Sequence, residues 1–391
     1  MNSSTTSSIK DGMTHIMNNL SDPARMIANI NQDFASYIIY TIIIVLVIFI
    51  GISMYSQMNL VSSTTNRMNS LYPTVDGKLR PIGLNRNDAQ LGYTLKDYYI
   101  KTAFNACSGG AYKNSVVSTQ NLMDIIKQGV RGFDFELYSL NDAPIVSTST
   151  VDDNYYVKET YNYVNFADVM SVLQNYAYSN STCPNPQDPI LLHLRIKSTN
   201  QKMYSALAKI LEGYDQLMLG PGYSYENSGK NLGNAKLLDL VGKIIIIVEK
   251  DNTAFMENSD FYEYVNMTSN SVFMRALKYY DVKFTPDMNE LIEYNKLNMT
   301  LVKPDTGVNP VNPSGILTRT LGCQMAGMCY QVNDQFLKED TAFFDTCGYA
   351  FCLKPEKLRY IPVVIPDPIP PNPALSYAPR QITKDFYNIK I

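Results

Sequence analysis

Tryptophan is absent from the 391 residues, and histidine occurs only twice, at His15 and His193. A mechanism that needs a pair of imidazoles would have to use both. A basic excess is also lacking: 33 Lys+Arg stand against 36 Asp+Glu, for a net charge of −3. That balance argues against nucleic acid as a partner. Six cysteines in so long a chain are too few for a disulfide-built mini-fold. What is plentiful is apolar: 45% hydrophobic residues, 29 of the 391 being Tyr, exclude a disordered chain. The Asn-, Ile- and Tyr-rich usage is what an AT-rich genome encodes, such as that of a large DNA virus.

Charge disappears altogether between Phe34 and Asn66. The centre of this run, Tyr37 to Tyr55, is almost wholly apolar. As a helix it would span about 28 Å, against roughly 30 Å for the hydrocarbon core of a bilayer. Tyr37, Tyr40 and Tyr55 stand where aromatic belts lie. A signal peptide would begin earlier, be shorter and carry a small-residue cleavage site. The sequence therefore predicts a single transmembrane helix over 35–57, with the lipid bilayer as partner. Arg25 precedes it, whereas Arg67, Lys78, Arg80 and Arg86 follow. The positive-inside rule leans toward a cytoplasmic C-terminal domain, or the interior side of a viral membrane. Sequons at Asn180, Asn266 and Asn298 arise easily by chance in an Asn-rich chain.

The remaining organisation follows from composition and periodicity. Residues 1–33 form a polar segment, with an amphipathic stretch near 13–30, and 58–94 read as a stalk and lead-in. From about 95 to 360, short apolar runs alternate with helical periodicity. Strands are predicted around 102–108, 130–138, 143–150, 189–198, 243–250, 301–304, 322–330 and 347–355. Helices are expected at 119–129 (ended by Gly129), 166–178, 201–219 and 288–297. This alternation predicts a parallel α/β fold, a (β/α)₈ barrel. The loop 219–233 has glycines and a lysine without P-loop spacing. Residues 361–380 hold seven of the twenty prolines, so 361–391 is an extended arm outside the sheet, suited to lying on an unknown protein partner.

Several blocks carry a likeness in matching order. AFNACS, GVRGFDFELY, APIVSTS and PILLHLRIKS, followed by LIEYNKLNMTLVKP, LGCQMAGMCYQVNDQFL and CGYAFCLKPEKLR, resemble the X and Y halves of phosphoinositide-specific phospholipase C. The X half covers about 95–250 and the Y half about 280–360. The resemblance implies a distorted TIM barrel with its site at the C-terminal strand ends. It also implies cleavage of inositol phospholipids by two histidines and a Ca²⁺ ion held by oxygen ligands.

The positions that matter have changed. Phe104 and Thr148 stand where the resemblance implies the two histidines, and neither side chain moves protons near neutrality. His15 lies across the predicted span, and His193 is alone in its strand. Asn105, Asp134 and Glu136 match three of the four implied Ca²⁺ ligands, and Arg195 replaces the fourth. The implied substrate-phosphate positions are Ile247, Glu249, Leu301 and Lys303, none of them an intact match. Because alternate strand residues share a face, His193, Arg195 and Lys197 should point together. Two placements follow for Arg195: between Asp134 and Glu136 as an internal countercharge, or reaching out to the barrel mouth. Cys323 and Cys347 match buried thiols of the family, and no disulfide pairing is favoured. The tyrosines at 98, 99, 155, 156, 161 and 163 would either meet lipid headgroups or cap barrel loops.

Two readings result. One is a membrane-anchored, catalytically inactive phospholipase-C-like barrel used for binding or structure, with no cofactor, and Ca²⁺ only if the altered site still holds it. The other is an active phosphoric diester hydrolase with altered acid–base residues, using His193 with Asp134 or Glu136.

Overall fold

The computed structural model describes residues 32–151, 156–362, 367–369, 372 and 378–391. His15, the stretch 13–30, Tyr155 and much of the Pro-rich arm lie outside them. The strands sort into two faces by their alternation. In β5 (Ile190–Lys197), Ile190, Leu192, Leu194 and Ile196 pack against the helix layer, in one cluster with Leu122, Val169, Met203 and Leu207. Leu191 faces inward beside Ile245, Ile247, Leu301 and Met325, and His193, Arg195 and Lys197 continue that inward face toward the strand's C-terminal end. Strands buried on both sides in this way belong to a parallel sheet wrapped by helices.

The ring is built from β1 (Tyr98–Ala103), β2 (Gly132–Leu140), β5, β6 (Ile244–Glu249), β7 (Met267–Ser269), β8 (Met274–Lys278), β9 (Met299–Lys303) and β10 (Met325–Met328). Its order is β7-β6-β5-β2-β1-β10-β9-β8, with parallel neighbours throughout. No hydrogen-bonded ladder joins β7 to β8. A parallel crossover needs about a dozen residues, and the connection here is 270–273. β7 and β8 therefore act as one interrupted stave, and the barrel is nearly closed.

The parallel barrel carries three antiparallel additions. β3 (Ala143–Ser147) folds back antiparallel on β2, and β4 (Val164–Asn165) pairs antiparallel with β3. The stretch expected as a last parallel strand yields β11 (Phe351–Leu353), which runs antiparallel along Tyr98–Ile100 of β1. β2 leaves that edge free because it pairs only with Thr102 and Ala103 of β1. The helices match their signals more closely. Thr119–Ile126 is capped by Ser118, with Gly129 beyond it at φ +70°. Gln201–Glu212 is capped by Asn200, and Met288–Leu297 by Asp287.

The expected stalk is different as well. The N-terminal helix α1 (Gln32–Leu71) continues to Leu71 rather than ending near 57. Its segment from Ser36 is long and apolar enough to cross a membrane. The last turns dock on the barrel because their inward positions recur at helical spacing: Thr64 and Met68 are buried, and Leu71 and Tyr72 pack on the core. Thr64 lies beside Gly109, where an added Cβ would come 3.2 Å from its own, and Arg67 donates to the Gly109 carbonyl. The Tyr72 hydroxyl donates to the Tyr330 carbonyl at 2.7 Å.

Cys347 and Cys352 form a disulfide, their Cα atoms 6.0 Å apart. This corrects the expectation of a reduced thiol at Cys347, which the resemblance implied; the sequence favoured no pairing. What brings the two together is the left-handed Gly348 (φ +78°), which ends the helix Gln335–Cys347 and turns the chain back into β11. Cys107, Cys183, Cys323 and Cys329 are buried free thiols.

Candidate functional site

At the C-terminal ends of the strands the barrel interior turns from apolar to charged. Asp134 and Glu136 project from β2, and His193, Arg195 and Lys197 from β5, with the register pairing Asp134 to His193 and Glu136 to Arg195. Asn105 follows β1 in a left-handed conformation (φ 46°) that Asn tolerates better than most residues. Its backbone N–H donates to Asp134 Oδ1 at 3.3 Å.

Arg195 fills the space between these groups. Its Nε donates to both Asp134 oxygens at 3.2 and 3.1 Å, and its Nη2 donates to Asp134 Oδ1 at 2.9 Å and to Asn105 Oδ1 at 2.7 Å. Nη1 lies 3.5 Å from Glu136 Oε2. The guanidinium also sits over the Phe104 ring, 4.6 Å from its centroid. Only 4% of the residue is exposed, so of the two expected placements the geometry is that of an internal countercharge. Burial alone would raise the Asp134 carboxyl, but the Arg195 charge and the His193 hydrogen bond outweigh it and hold the group below the usual carboxylate range. At Glu136 burial wins and raises the carboxyl despite Arg195 and Lys197. Glu136 is held by Tyr138 Oη (2.9 Å) and the Ser149 N–H (3.2 Å).

The remaining predicted positions divide. Ile247 and Leu301 are fully buried in the apolar interior and do not reach the mouth. Glu249 and Lys303 do reach it and pair with each other. Burial raises the Glu249 carboxyl, but the Lys303, His193 and Arg195 charges lower it further than burial lifts it. Thr148 is buried, its hydroxyl donating to the Tyr112 carbonyl at 2.9 Å. Among the tyrosines, Tyr98 and Tyr99 are buried in β1, whereas Tyr156, Tyr161 and Tyr163 are exposed.

The hydrolase reading expected His193 beside Asp134 or Glu136; its contact with Ser269 was not foreseen. His193 Nδ1 lies 2.7 Å from Asp134 Oδ2, and Nε2 lies 2.8 Å from Ser269 Oγ. A carboxylate, an imidazole and a hydroxyl in line is the arrangement of an activated nucleophile. Only the period-2 pattern of β7 could have pointed to Ser269, and a strand of three residues is too short to show one. All three groups are fully buried. The cavity at the mouth, bounded by Phe104, Tyr112, Arg195 and Lys303, measures about 20 Å³ and is lined by neither His193 nor Ser269. Such a volume holds little more than a water molecule, whereas ligand pockets are usually several hundred Å³.

The mouth is closed by loops tied to one another. Tyr112 N–H donates to the Val308 carbonyl (3.0 Å), Asn114 N–H to Glu159 (3.0 Å), and Tyr161 N–H to Ser115 (2.9 Å). Phe104 and Tyr112 meet edge to face beneath them. Among the described residues, no three or more His, Cys, Asp or Glu side chains gather as metal ligands.

Residues 91–250 match the family described as phosphatidylinositol-specific phospholipase C, X domain. Among solved structures the chain is similar to PLC21 of S. officinalis, at 19% identity and a TM-score of 0.55. PLC21 of L. pealei is matched at 17% identity and a TM-score of 0.56. Each match covers 69% of this chain but 38% of the solved one, so the chain spans little more than a third of those proteins. No curated protein matches significantly. The chain thus resembles phosphoinositide-specific phospholipase C and has a phospholipase-C-like barrel fold.

Proposed function

We propose that this chain is a membrane-anchored, catalytically inactive phospholipase-C-like barrel that serves as a binding or structural protein. The observation that carries this reading is the position of Arg195. Its nitrogens stand 2.7 Å from Asn105 Oδ1 and 2.9 Å from Asp134 Oδ1, in the space a Ca²⁺ ion would need to reach those oxygens at about 2.3–2.6 Å. The residues therefore do not fit a calcium ion, and no reaction step is routed through one. With Phe104 and Thr148 in the positions of the implied acid and base, the mouth also lacks the two implied histidines. The test is release of inositol phosphate from phosphatidylinositol vesicles by the full chain, with and without Ca²⁺. No turnover is expected in either case.

The hydrolase reading draws support from the Asp134–His193–Ser269 line. Turnover that disappears in His193→Ala would establish it and overturn the inert reading. Against it stand the full burial of all three groups and a mouth of about 20 Å³.

For placement in the cell, we take α1 as the anchor and the barrel as cytoplasmic, or interior in a viral membrane. Two sequons support this. Asn266 is buried, accepting from Ile246 N–H (2.8 Å) and donating to the Tyr223 carbonyl (3.1 Å). Asn298 is half-buried against Asn231. A glycan attached to either during synthesis would block the fold, so the chain should not meet the glycosylating machinery. The Cys347–Cys352 disulfide points the other way, toward an oxidising compartment. It closes a short loop, and its reduction adds no bulk to the core, whereas a glycan at Asn266 does. Translation into microsomes should give no glycan-dependent mobility shift; a shift at Asn266 in folded protein would place the barrel in the lumen. A composition typical of AT-rich genomes suits a large DNA virus, where such a barrel would join a membrane to a capsid.

A further inference from the structure

β1 carries a lysine that the barrel site does not use. Alternation sends Ile100 into the apolar interior and Tyr99 and Ala103 into the outer layer, so Lys101 points outward, away from the Arg195 cluster. Its side chain is fully buried. Its Nζ has no hydrogen-bond partner among the described residues. Burying an ammonium in this way is costly unless the charge is paired or given up. Burial pushes the group below the ordinary lysine range, against the pull of Asp76, Asp345 and Asp340. The unprotonated amine that burial favours is a nucleophile.

The three acids are not equivalent. Asp340 pairs with Arg319, and Asp345 Oδ2 lies 2.7 Å from Lys78 Nζ. Asp76 is left for Lys101, with its Oδ2 3.8 Å from Nζ. The rest of Asp76 is fixed. Its Oδ1 accepts from the Lys78 backbone N–H at 3.0 Å, and its own N–H donates to the Lys127 carbonyl at 2.9 Å. One carboxyl oxygen is thus held by a backbone donor while the other faces the amine. Asp345 lines the same cavity as Asp76, of about 310 Å³. Its Oδ1, like the Tyr330 hydroxyl, is buried with no hydrogen-bond partner among the described residues. A desolvated amine, an oriented acid and a second carboxylate nearby are the parts that amide formation needs.

We infer that Lys101 and Asp76 condense into an internal amide, which joins the segment just past α1 to the first strand of the barrel. The Lys101 proton first passes to Asp76 Oδ2, leaving a neutral amine and a neutral acid. The amine then adds to Asp76 Cγ, forming the N–C bond. Negative charge develops on Oδ1, where the Lys78 N–H already donates. Asp345 takes one proton from the nitrogen and hands it to Oδ2; the Cγ–Oδ2 bond breaks and Oδ2 leaves as water. No oxidant or other reactant is consumed. In open water hydrolysis wins, but a fixed pair reacts with an effective molarity of about 10⁵–10⁸ M. The product also replaces a buried ion pair with a neutral amide. The joint between α1 and the barrel is then held by a covalent bond as well as by the packing of Met68, Leu71 and Tyr72.

The test is peptide mapping of the full chain, purified in detergent, denatured in urea and digested with trypsin. Linkage blocks cleavage after Lys101 and yields a branched peptide, 68–78 joined to 97–113, lighter than its two parts together by one water. Asp76→Ala should abolish the branch and restore cleavage after Lys101. Asp345→Asn should lower the linked fraction of freshly made protein at least about tenfold; an unchanged fraction overturns the role given to Asp345. A parent protein cleaved completely after Lys101 overturns the amide, whether or not the variants fold, and means that ion pairing and water satisfy the amine. Loss of one water confined to peptide 68–78 is ring closure between Asp76 and Gly77, and it overturns the amide as well.

Discussion

Replacing Arg195 with Met keeps most of the side-chain volume and removes the charge. Asp134 would then keep only His193 and the Asn105 N–H as partners, and Glu136 would lose its nearest cation. Removing one member of a buried ion pair typically costs about 3–5 kcal/mol, because the partner charge is left unpaired in a poorly polarisable interior. For a domain of this size that is a fall in Tm of roughly 10 °C. In the native protein Asp134 is held below its usual range, so its contribution is present above the unfolded carboxyl pKa and is lost as pH falls. In Arg195→Met that contribution is gone, so the gap between variant and parent should narrow on acidification. Arg195→Glu extends the argument, since it returns a fourth oxygen ligand to Asn105, Asp134 and Glu136. Its Tm should rise with added Ca²⁺, by about 2.7 kcal/mol of stability at a hundredfold excess over Kd, while the parent's Tm should not move. Scanning calorimetry of the three proteins, with chelator and with Ca²⁺, is sufficient. A parent stabilised by Ca²⁺, or an Arg195→Met variant as stable as the parent, would refute the reasoning.

Other outcomes follow from single groups. Burial depresses the Lys354 ammonium to about 7, with its Nζ donating to the Asn295 carbonyl. The unfolded chain thus binds more protons between that value and the ordinary lysine range, so stability should rise with pH above neutrality, and Lys354→Met should flatten urea midpoints measured from pH 7 to 9. Asp188 is pushed up by burial to about 6; the folded state holds the extra proton, so stability from this group falls as pH rises from 4 to 6, and Asp188→Asn should remove that slope. Gly129→Ala combines a φ of +70° with a new Cβ only 2.4 Å from Leu79 Cδ1, and denaturant melts should show a loss of about 1–3 kcal/mol. Reducing Cys347–Cys352 opens a short loop and should cost no more than about 2 kcal/mol by the same measurement.

The parts of the fold legible in the sequence were those governed by local period and capping. The apolar run through Tyr55, the helix Met288–Leu297 and strand β5 all announce themselves by spacing. Face sharing was legible in part: strand alternation grouped His193, Arg195 and Lys197, while the choice between the two placements of Arg195 depended on which way that face turned. Long-range closure was hidden. Nothing local says that β11 will run backward along β1, since that follows from which edge β2 leaves free. The tail of α1 was mistaken for a stalk because Ser62, Ser63, Thr64 and Thr65 look like linker composition, and only Met68 and Leu71 hint at burial. Ser269 was invisible for a related reason: its meaning comes from His193, 76 residues away. Phe104, Thr148 and Arg195 stood out because each alters the chemistry that the resemblance implies.

The unbroken course of α1 into the barrel has a mechanical consequence. A flexible tether would let the domain tumble and would lose any tilt of the anchor within a few residues. Here the rod that carries Tyr55 also carries Met68 into the core and braces the loop at Gly109. On the proposed reading of α1 as a membrane-crossing helix, any change in its lean, such as one imposed by a thinner or more curved bilayer, becomes torque on the segment that stoppers the barrel.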